Sequence, residues 1–172
     1  MPHISFRERL RLLPKSYKKF LVAVGLFGAG DFAHTMFQVP FFNAASMFAA
    51  QAKHIQFKDG SGVRLITQYG QAIGPVVNNG TFYHFQGLTS DGKYYIVAVL
   101  PVQARFLANG DDPAAQLPAD GIPFPGYGLT DNTAYDNYFK AVTDKMNATP
   151  DDSFSPSLVT LDSLIKSLQV SP

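Results

Sequence analysis

Histidine and aspartate side chains are the groups in this chain that could carry acid–base or metal chemistry. The chain has four histidines, His3, His34, His54 and His84. Their spacing does not match the short His-x-His or His-Glu-x-x-His motifs of metal sites, so the sequence predicts no metal centre. His84 shares a predicted strand face with Phe82 and is typical of a histidine on a half-exposed sheet surface. An enzyme that gathers scattered His and Asp residues stays open as an alternative.

Nucleophilic catalysis finds no support in the residue pattern. The chain contains no cysteine, which excludes thiol nucleophiles, disulfides and thiolate metal sites. It has no Gly-x-Ser-x-Gly motif, and Ser61 stands in the sequence DGSG at 59–62, which predicts a hairpin turn. The sequence therefore assigns no catalytic residue.

Acidic residues cluster in one segment that invites a calcium interpretation. Asn109, Asp111 and Asp112 lie around Gly110, and Asp120 follows. The segment lacks the alternating acidic spacing and the closing glutamate of a calcium loop, so solvated loop carboxylates are the better interpretation. The chain also has no Gly-x-Gly-x-x-Gly or phosphate-loop motif, and the sequence predicts no cofactor.

Aromatic side chains offer the remaining chemistry, which is binding by stacking or by burial of an apolar group. The chain has 15 Phe and 8 Tyr, and several of them lie near the predicted sheet and the Pro- and Gly-rich segment 103–130. Such residues more often form the core of a domain than a binding surface. The candidate ligand-binding residues are Gln86, Tyr94, Tyr95, Phe124 and Tyr127.

Charge divides the chain into a basic N-terminal part and an acidic remainder. Residues 1–19 hold six basic residues and one acid, while the remainder holds eight basic residues and twelve aspartates, a net charge of −4. An acidic body argues against nucleic acid as a partner. The length of 172 residues suits one domain with a leading segment, which we expect over 1–42, with the folded domain over 43–172.

The leading segment has the pattern of an export signal or membrane anchor. An uncharged apolar run, FLVAVGLFGAG at 20–30, follows the basic residues, and after Asp31 the sequence continues apolar to Phe42. The pattern predicts a hydrophobic helix that makes the membrane a partner; a buried or amphipathic soluble helix is the alternative. The stretch LPKSYKKFLVAVGLFGAGDFAHTM at 13–36 resembles the opening half of a helix in major facilitator transporters. No second apolar span follows, and one helix cannot form a transport path, so we do not expect a transporter.

The pattern of the remaining chain predicts two sequential β-hairpins. Residues 43–53 are rich in alanine and predict a short helix. Alternating apolar residues over 55–57 and 63–69 predict the first hairpin, and residues 81–89 and 93–102, around a Ser-Asp-Gly turn, predict the second. The last of these strands is apolar on both faces, which predicts that it is covered on both sides.

Two helices are predicted to close the domain. An apolar stripe runs over 131–147 and Pro150 ends it, while Ser155 followed by Pro156 predicts the cap of a last helix. Both helices lack another partner, so they should pack on the sheet. The fold prediction is α+β: an antiparallel sheet of about four strands in two sequential hairpins, with two C-terminal helices packed against it and an N-terminal hydrophobic helix before it.

The second hairpin also carries a recognisable phrase. The sequence NNGTFYHFQGLTSDGKYYIVAVLPV at 78–102, together with GVRLITQYGQ at 62–71, is similar to a domain of uncharacterised exported bacterial proteins. The similarity covers about residues 40–170. It implies a location at the cell envelope, and it implies no activity and no functional residue.

These observations favour a non-enzymatic extracytoplasmic domain that binds a ligand or an envelope protein at the bacterial cell envelope. The alternatives are an envelope hydrolase that uses scattered Asp and His residues, and a purely structural domain. An aromatic groove without a titratable pair would favour binding, whereas a pocket where His54 or His84 meets an aspartate would favour the enzyme.

Overall fold

An antiparallel sheet with two helices on one face makes up the body of this protein. The computed structural model describes residues 23–25, 44–112 and 116–170. The strands of the sheet are β1 (Ala23–Gly25), β2 (Ala45–Ser46), β3 (Ala50–Phe57), β4 (Gly60–Gly70), β5 (Thr81–Thr89) and β6 (Tyr95–Pro101). They lie in the order β1-β6-β5-β4-β2, and β3 also pairs with β4. The prediction of an α+β fold with an antiparallel sheet is confirmed.

The second hairpin forms as its sequence predicts. β5 pairs with β6 in a register that sets Phe82 opposite Pro101 and Leu88 opposite Tyr95. Gly92 has a φ of 71°, which side chains rarely adopt, so glycine is the residue that this turn needs. The strand ladder ends at Pro101, which has no N–H to continue it.

The first hairpin turns earlier than DGSG predicts. Its strands meet at Phe57 and Gly60, so the turn consists of Lys58 and Asp59, and the predicted turn position of Ser61 is wrong because this residue lies within β4. The two glycines serve strand packing instead. A Cβ on Gly60 would lie 2.2 Å from the Leu88 carbonyl oxygen, and one on Gly62 would lie 2.1 Å from that of Gln86.

The predicted helix over 43–53 is wrong, because the described part of this stretch forms β2 and the start of β3. Alanine favours helix in isolation, but pairing with β4 and burial of Phe48 and Ala50 in the core override that preference. The register shifts between Ala50 and Lys53, and Gln51 between them has a φ of 56°. This bulge turns the Gln51 side chain toward the helices, where its Nε2 donates to the Met146 and Thr149 carbonyl oxygens.

The N-terminal hydrophobic helix falls mostly outside the described residues. Within it, the described residues Ala23–Gly25 form β1, which pairs antiparallel with β6, and they give the predicted helix no support. A short apolar run suits a strand as well as a helix, and an open edge of β6 gives it a partner. Among the residues that the structure describes, no helix is long and apolar enough to cross a membrane.

Both predicted C-terminal helices are present. α1 spans Thr133–Ala148, and the residues that it buries are Tyr135, Tyr138, Val142 and Met146. α2 spans Leu158–Lys166. The two helices pack over the sheet face that carries Tyr83, Phe85 and Ile96, and this layer is the hydrophobic core.

The connection between the helices differs from its prediction at the cap. Ser157 rather than Ser155 caps α2, accepting a hydrogen bond from the Thr160 N–H at 3.2 Å. Ser155 is held instead in a two-stranded ribbon, in which β7 (Gln103–Ala104) pairs with β8 (Phe154–Ser155). This ribbon ties the end of the sheet to the start of α2.

Candidate ligand-binding site

A cleft of about 410 Å³ opens between the segment after β6 and α1. Val76, Val77 and Tyr138 line its inner part, while Phe124 and Tyr127 form an aromatic wall. Its volume falls within the roughly 300–1,000 Å³ of small-molecule sites, and its lining is mostly apolar, as such sites usually are. The cleft can therefore bury an apolar or aromatic group of a ligand.

Phe124 is the fixed part of the aromatic wall. Its ring lies 5.9 Å from that of Tyr135 in a stacked arrangement and 5.3 Å from that of Tyr138 in an edge-on one. The Tyr135 hydroxyl also accepts a hydrogen bond from the Leu129 N–H at 3.2 Å, which ties the segment to α1. Three sets of contacts thus hold the wall before any ligand arrives.

Tyr127 is the solvent-exposed part of the aromatic wall. It is 64% exposed, and its ring lies 5.2 Å from that of Phe124. Gly126 and Gly128 on either side have φ angles of 98° and 75°, so the backbone needs glycine at both positions to hold this bend. An exposed aromatic ring on a fixed bend is a surface on which a ligand can stack.

Tyr138 brings a polar group to the inner part of the cleft. Its hydroxyl oxygen accepts a hydrogen bond from the Val76 N–H at 2.9 Å. Burial raises the pKa of the Tyr138 hydroxyl although the hydrogen bond from Val76 acts in the other direction, so the group is neutral at ordinary pH. The hydroxyl proton remains available to an acceptor on a ligand.

Two carboxylates give the cleft a negative edge. Asp111 and Asp112 both line it and are exposed. A negative edge beside an apolar wall suits a ligand whose apolar body carries a positive charge.

The structure brings together two of the five residues predicted to bind a ligand. Phe124 and Tyr127 share the cleft, whereas Gln86 and Tyr95 are buried on the sheet face away from the helices, and Tyr94 precedes β6. The sequence missed Val76 and Tyr138, which join the cleft from a loop and from α1. The Tyr138 position on the apolar stripe of a helix gives no sign that its hydroxyl reaches a cleft.

His84 lies on the same sheet face as Gln86 and is buried, with 2% of its surface exposed. Neither ring nitrogen has a hydrogen-bond partner within the described part of the chain. Burial lowers the pKa of His84 to about 4. No described carboxylate bonds to it, so the geometry does not provide the His–Asp pair that acid–base catalysis would need.

The described residues also contain a charged cluster inside the fold. Arg64 on β4 is 1% exposed, and its Nη2 donates to Asp151 Oδ1 at 3.0 Å, while its Nε lies 3.3 Å from Asp162 Oδ1. Lys53 Nζ lies 3.1 Å from both Asp151 Oδ2 and Asp162 Oδ2. The Tyr83 hydroxyl donates to Asp162 Oδ1 at 3.1 Å.

The charges of this cluster balance within it, two cations against two carboxylates. The hydrogen bonds of Lys53 to Asp162 and Asp151 raise the pKa of its ammonium, and burial raises the pKa of the Tyr83 hydroxyl. Because each charged group already has partners, the cluster holds α2 and the preceding connection on the sheet. It does not present a free group to a ligand.

The sequence gives one signal of this cluster. Arg64 shares its strand face with Ile66, which is fully buried, so a charge at this inward position needs a buried partner. Asp162 similarly interrupts the apolar face of α2. Nothing in the sequence alone pairs the two residues.

No group of three or more His, Cys, Asp or Glu residues in the described ranges could hold a metal ion. Comparisons with family models, with curated proteins and with solved structures found no match to the chain. The geometry of the aromatic cleft and the pattern of the sequence are therefore the basis for assigning a function.

Proposed function

We propose that this protein is a non-enzymatic binding domain of the bacterial cell envelope, and that its aromatic cleft holds an apolar or aromatic group of a cationic ligand or partner. The observation that carries the proposal is Tyr127, an exposed ring that contacts Phe124 and lines an apolar cleft with a carboxylate edge. Burial of the ligand's apolar group would supply affinity, and the edge would select the positive charge.

A binding role has more support than an envelope hydrolase. A hydrolase would need a titratable pair in a concave site, and neither His54 nor His84 has a hydrogen bond to a carboxylate among the described residues. The aromatic cleft offers stacking surface and one neutral hydroxyl instead. These are the parts of a recognition site.

The envelope location is supported by the order of charge and hydropathy in residues 1–42. Six basic residues precede an uncharged apolar run, which is the arrangement of an export signal or an anchor. The resemblance of residues 40–170 to exported bacterial proteins, which is an expectation from the sequence phrase alone, would place the chain in the same compartment.

The location is tested by fusing a reporter after Pro172 that is active only outside the cytoplasm. We expect activity from the complete chain and loss of activity when three lysines of the leading segment, Lys15, Lys18 and Lys19, are replaced by glutamate, because orientation follows the basic residues. The contrary outcome is that this reporter is inactive after Pro172, while a second reporter that is active only in the cytoplasm works at the same position. That outcome would remove the envelope from the proposal.

The cleft is tested with two small probes that share a benzyl group and differ in charge, phenethylammonium and phenylacetate. We expect phenethylammonium to shift the backbone NMR signals of Val76, Val77 and Tyr127, with a Kd on the order of millimolar for a probe of this size. Phenylacetate should bind several-fold more weakly, because Asp111 and Asp112 oppose its charge.

Two variants separate the cleft from general surface binding. Tyr127→Ala should weaken phenethylammonium binding about fivefold or more, because it removes the exposed ring. Tyr94→Ala, which changes a tyrosine outside the cleft, should leave it unchanged. Equal binding of the two probes, or an equal effect of the two variants, would contradict the proposed role of the cleft.

A further inference from the structure

A second cleft, of about 430 Å³, lies on the other side of the segment that lines the aromatic cleft. Its lining is polar: Gln103, Arg105, Asn109, Gln116, Ser153 and Ser155 contribute amide, guanidinium and hydroxyl groups. Among the described residues that line it, none is acidic and none is aromatic. The chemistry of this cleft therefore differs from that of the aromatic cleft, although Leu107 and Ala108 line both.

Arg105 stands at the tip of a tight turn in this cleft. The Leu107 N–H donates to the Ala104 carbonyl oxygen at 3.0 Å, which closes a turn with Arg105 and Phe106 at its centre. Ala104 and Phe106 are 1% and 2% exposed, so the residues on both sides of Arg105 are fixed in the core. Arg105 itself is exposed. The backbone is anchored while the guanidinium faces the solvent.

Asn78 fixes the same turn from the opposite side. Its Oδ1 accepts from the Ala104 N–H at 2.9 Å, and its Nδ2 donates to the Leu107 carbonyl oxygen at 3.1 Å. Its own N–H donates to the Ala108 carbonyl oxygen at 2.8 Å. The β7–β8 ribbon places Gln103 opposite Ser155 on the neighbouring wall. The polar walls are thus held in place by hydrogen bonds to the main chain, which lowers the entropy lost when a ligand is bound.

The guanidinium of Arg105 has no ion pair among the described residues, in contrast to most of the other cations there. The described cations that do form ion pairs are Lys53, Arg64, Lys93, Lys140 and Lys145. Arg105 also lines an adjoining cleft that contains Asp120, and the carboxylate of Asp120 lies 3.4 Å from Lys145 Nζ. In a body with more acidic than basic residues, an arginine that lines a cleft without an acid is an available anion-binding group.

We infer that this polar cleft binds a sugar that carries a carboxylate. A guanidinium matches a carboxylate with two parallel hydrogen bonds, and the surrounding amide and hydroxyl side chains can both donate to and accept from ring hydroxyls. The volume is within the range of small-molecule sites. The inference goes beyond the proposed function, because it concerns a different cleft and the opposite ligand charge.

The test is an NMR titration of the full chain with three probes at fixed ionic strength, glucuronate, glucose and sulfate. Glucose has the ring hydroxyls without the carboxylate, and sulfate has the charge without the ring. We expect glucuronate to shift the signals of Arg105, Asn109 and Ser155 with a Kd on the order of millimolar. Glucose and sulfate should each bind at least about fivefold more weakly, because each lacks one half of the recognised chemistry.

Variants of the cleft complete the test. Arg105→Gln should weaken glucuronate binding about tenfold, and Arg105→Lys should recover only part of it because an ammonium cannot make the paired bonds. Lys58→Gln, which removes an exposed cation elsewhere, is the matched control and should change nothing. Sulfate binding as tight as glucuronate, an equal effect of the Arg105→Gln and Lys58→Gln variants, or no shift at all would overturn the inference. Phenethylammonium binding at the aromatic cleft is measured separately, so the two clefts can fail independently.

Discussion

Replacing Arg64 with methionine is expected to lower the free energy of unfolding by about 3–5 kcal/mol, measured by urea denaturation at pH 7. The guanidinium is 1% exposed and bonds to the Gln51 carbonyl oxygen at 2.6 Å and to Asp151 at 3.0 Å. Its removal leaves Asp162, also buried, with only Lys53 and Tyr83 as partners. A buried carboxylate that loses one of its two cations is costly because water cannot replace the lost charge.

Two further variants distinguish a buried charge from a merely bulky side chain. Lys53→Met removes the other cation of the cluster, but its side chain is 46% exposed, so the loss should stay below about 1 kcal/mol. The double variant Arg64→Met with Asp162→Leu should regain much of the stability lost in Arg64→Met, because it also removes the buried carboxylate that has lost one of its two cations. Equal losses for Arg64→Met and Lys53→Met would show that burial of the guanidinium does not decide the effect.

Stability is expected to fall by about 3 kcal/mol as the pH is lowered from about 6.5 to about 4, through protonation of His84 in the unfolded chain. Burial lowers the pKa of His84 to about 4 in the fold, against 6.5 when unfolded. Between these values the unfolded chain binds a proton that the folded chain does not, so lower pH favours unfolding. Below about 4 both forms are protonated and the contribution of His84 becomes constant.

The variant His84→Leu should remove this pH dependence in that window. At pH 7 its free energy of unfolding should be higher than that of the original chain by about 1 kcal/mol. The reason is that an apolar side chain replaces a buried ring whose two nitrogens have no partner among the described residues. Asp151 does not contribute in this window, because it loses its charge only at lower pH. Burial raises the pKa of its carboxyl, but the hydrogen bonds and charges of Lys53 and Arg64 together lower it by more. A variant with the same pH profile as the original chain between 4 and 6.5 would rule out His84 as its source.

The sequence predicts the elements whose signals are local. The second hairpin combines strand alternation with a Gly92 turn, and α1 shows a clear apolar stripe, so both could be found without the fold. β2 and β3 could not, because the alanine-rich stretch is helical by preference and becomes a strand only by pairing with β4. The turn at Lys58 could not be located for a similar reason. Gly60 and Gly62 are needed because β5 passes too close to them for a Cβ, and the sequence does not show which strand lies beside them.

The same distinction between local signals and contacts made only in the fold applies to the two candidate sites. Phe124 and Tyr127 could be predicted because aromatic residues in a Gly- and Pro-rich segment often lie at a surface, but Tyr138 joins them only through the packing of α1. Arg105 could not be singled out from the sequence, because its candidacy as a binding group depends on the lack of acidic residues among the described walls of its cleft. That absence is a property of the assembled cleft and not of the neighbouring sequence.

The charged cluster affects when the chain can fold during its synthesis. Arg64 meets Asp151 across 87 residues of sequence, and Tyr83 meets Asp162 across 79. Such distant pairs form only after the later partner has left the ribosome, so we expect the nascent chain to remain open until α2 has emerged. A polypeptide whose fold closes this late remains unfolded for most of its synthesis.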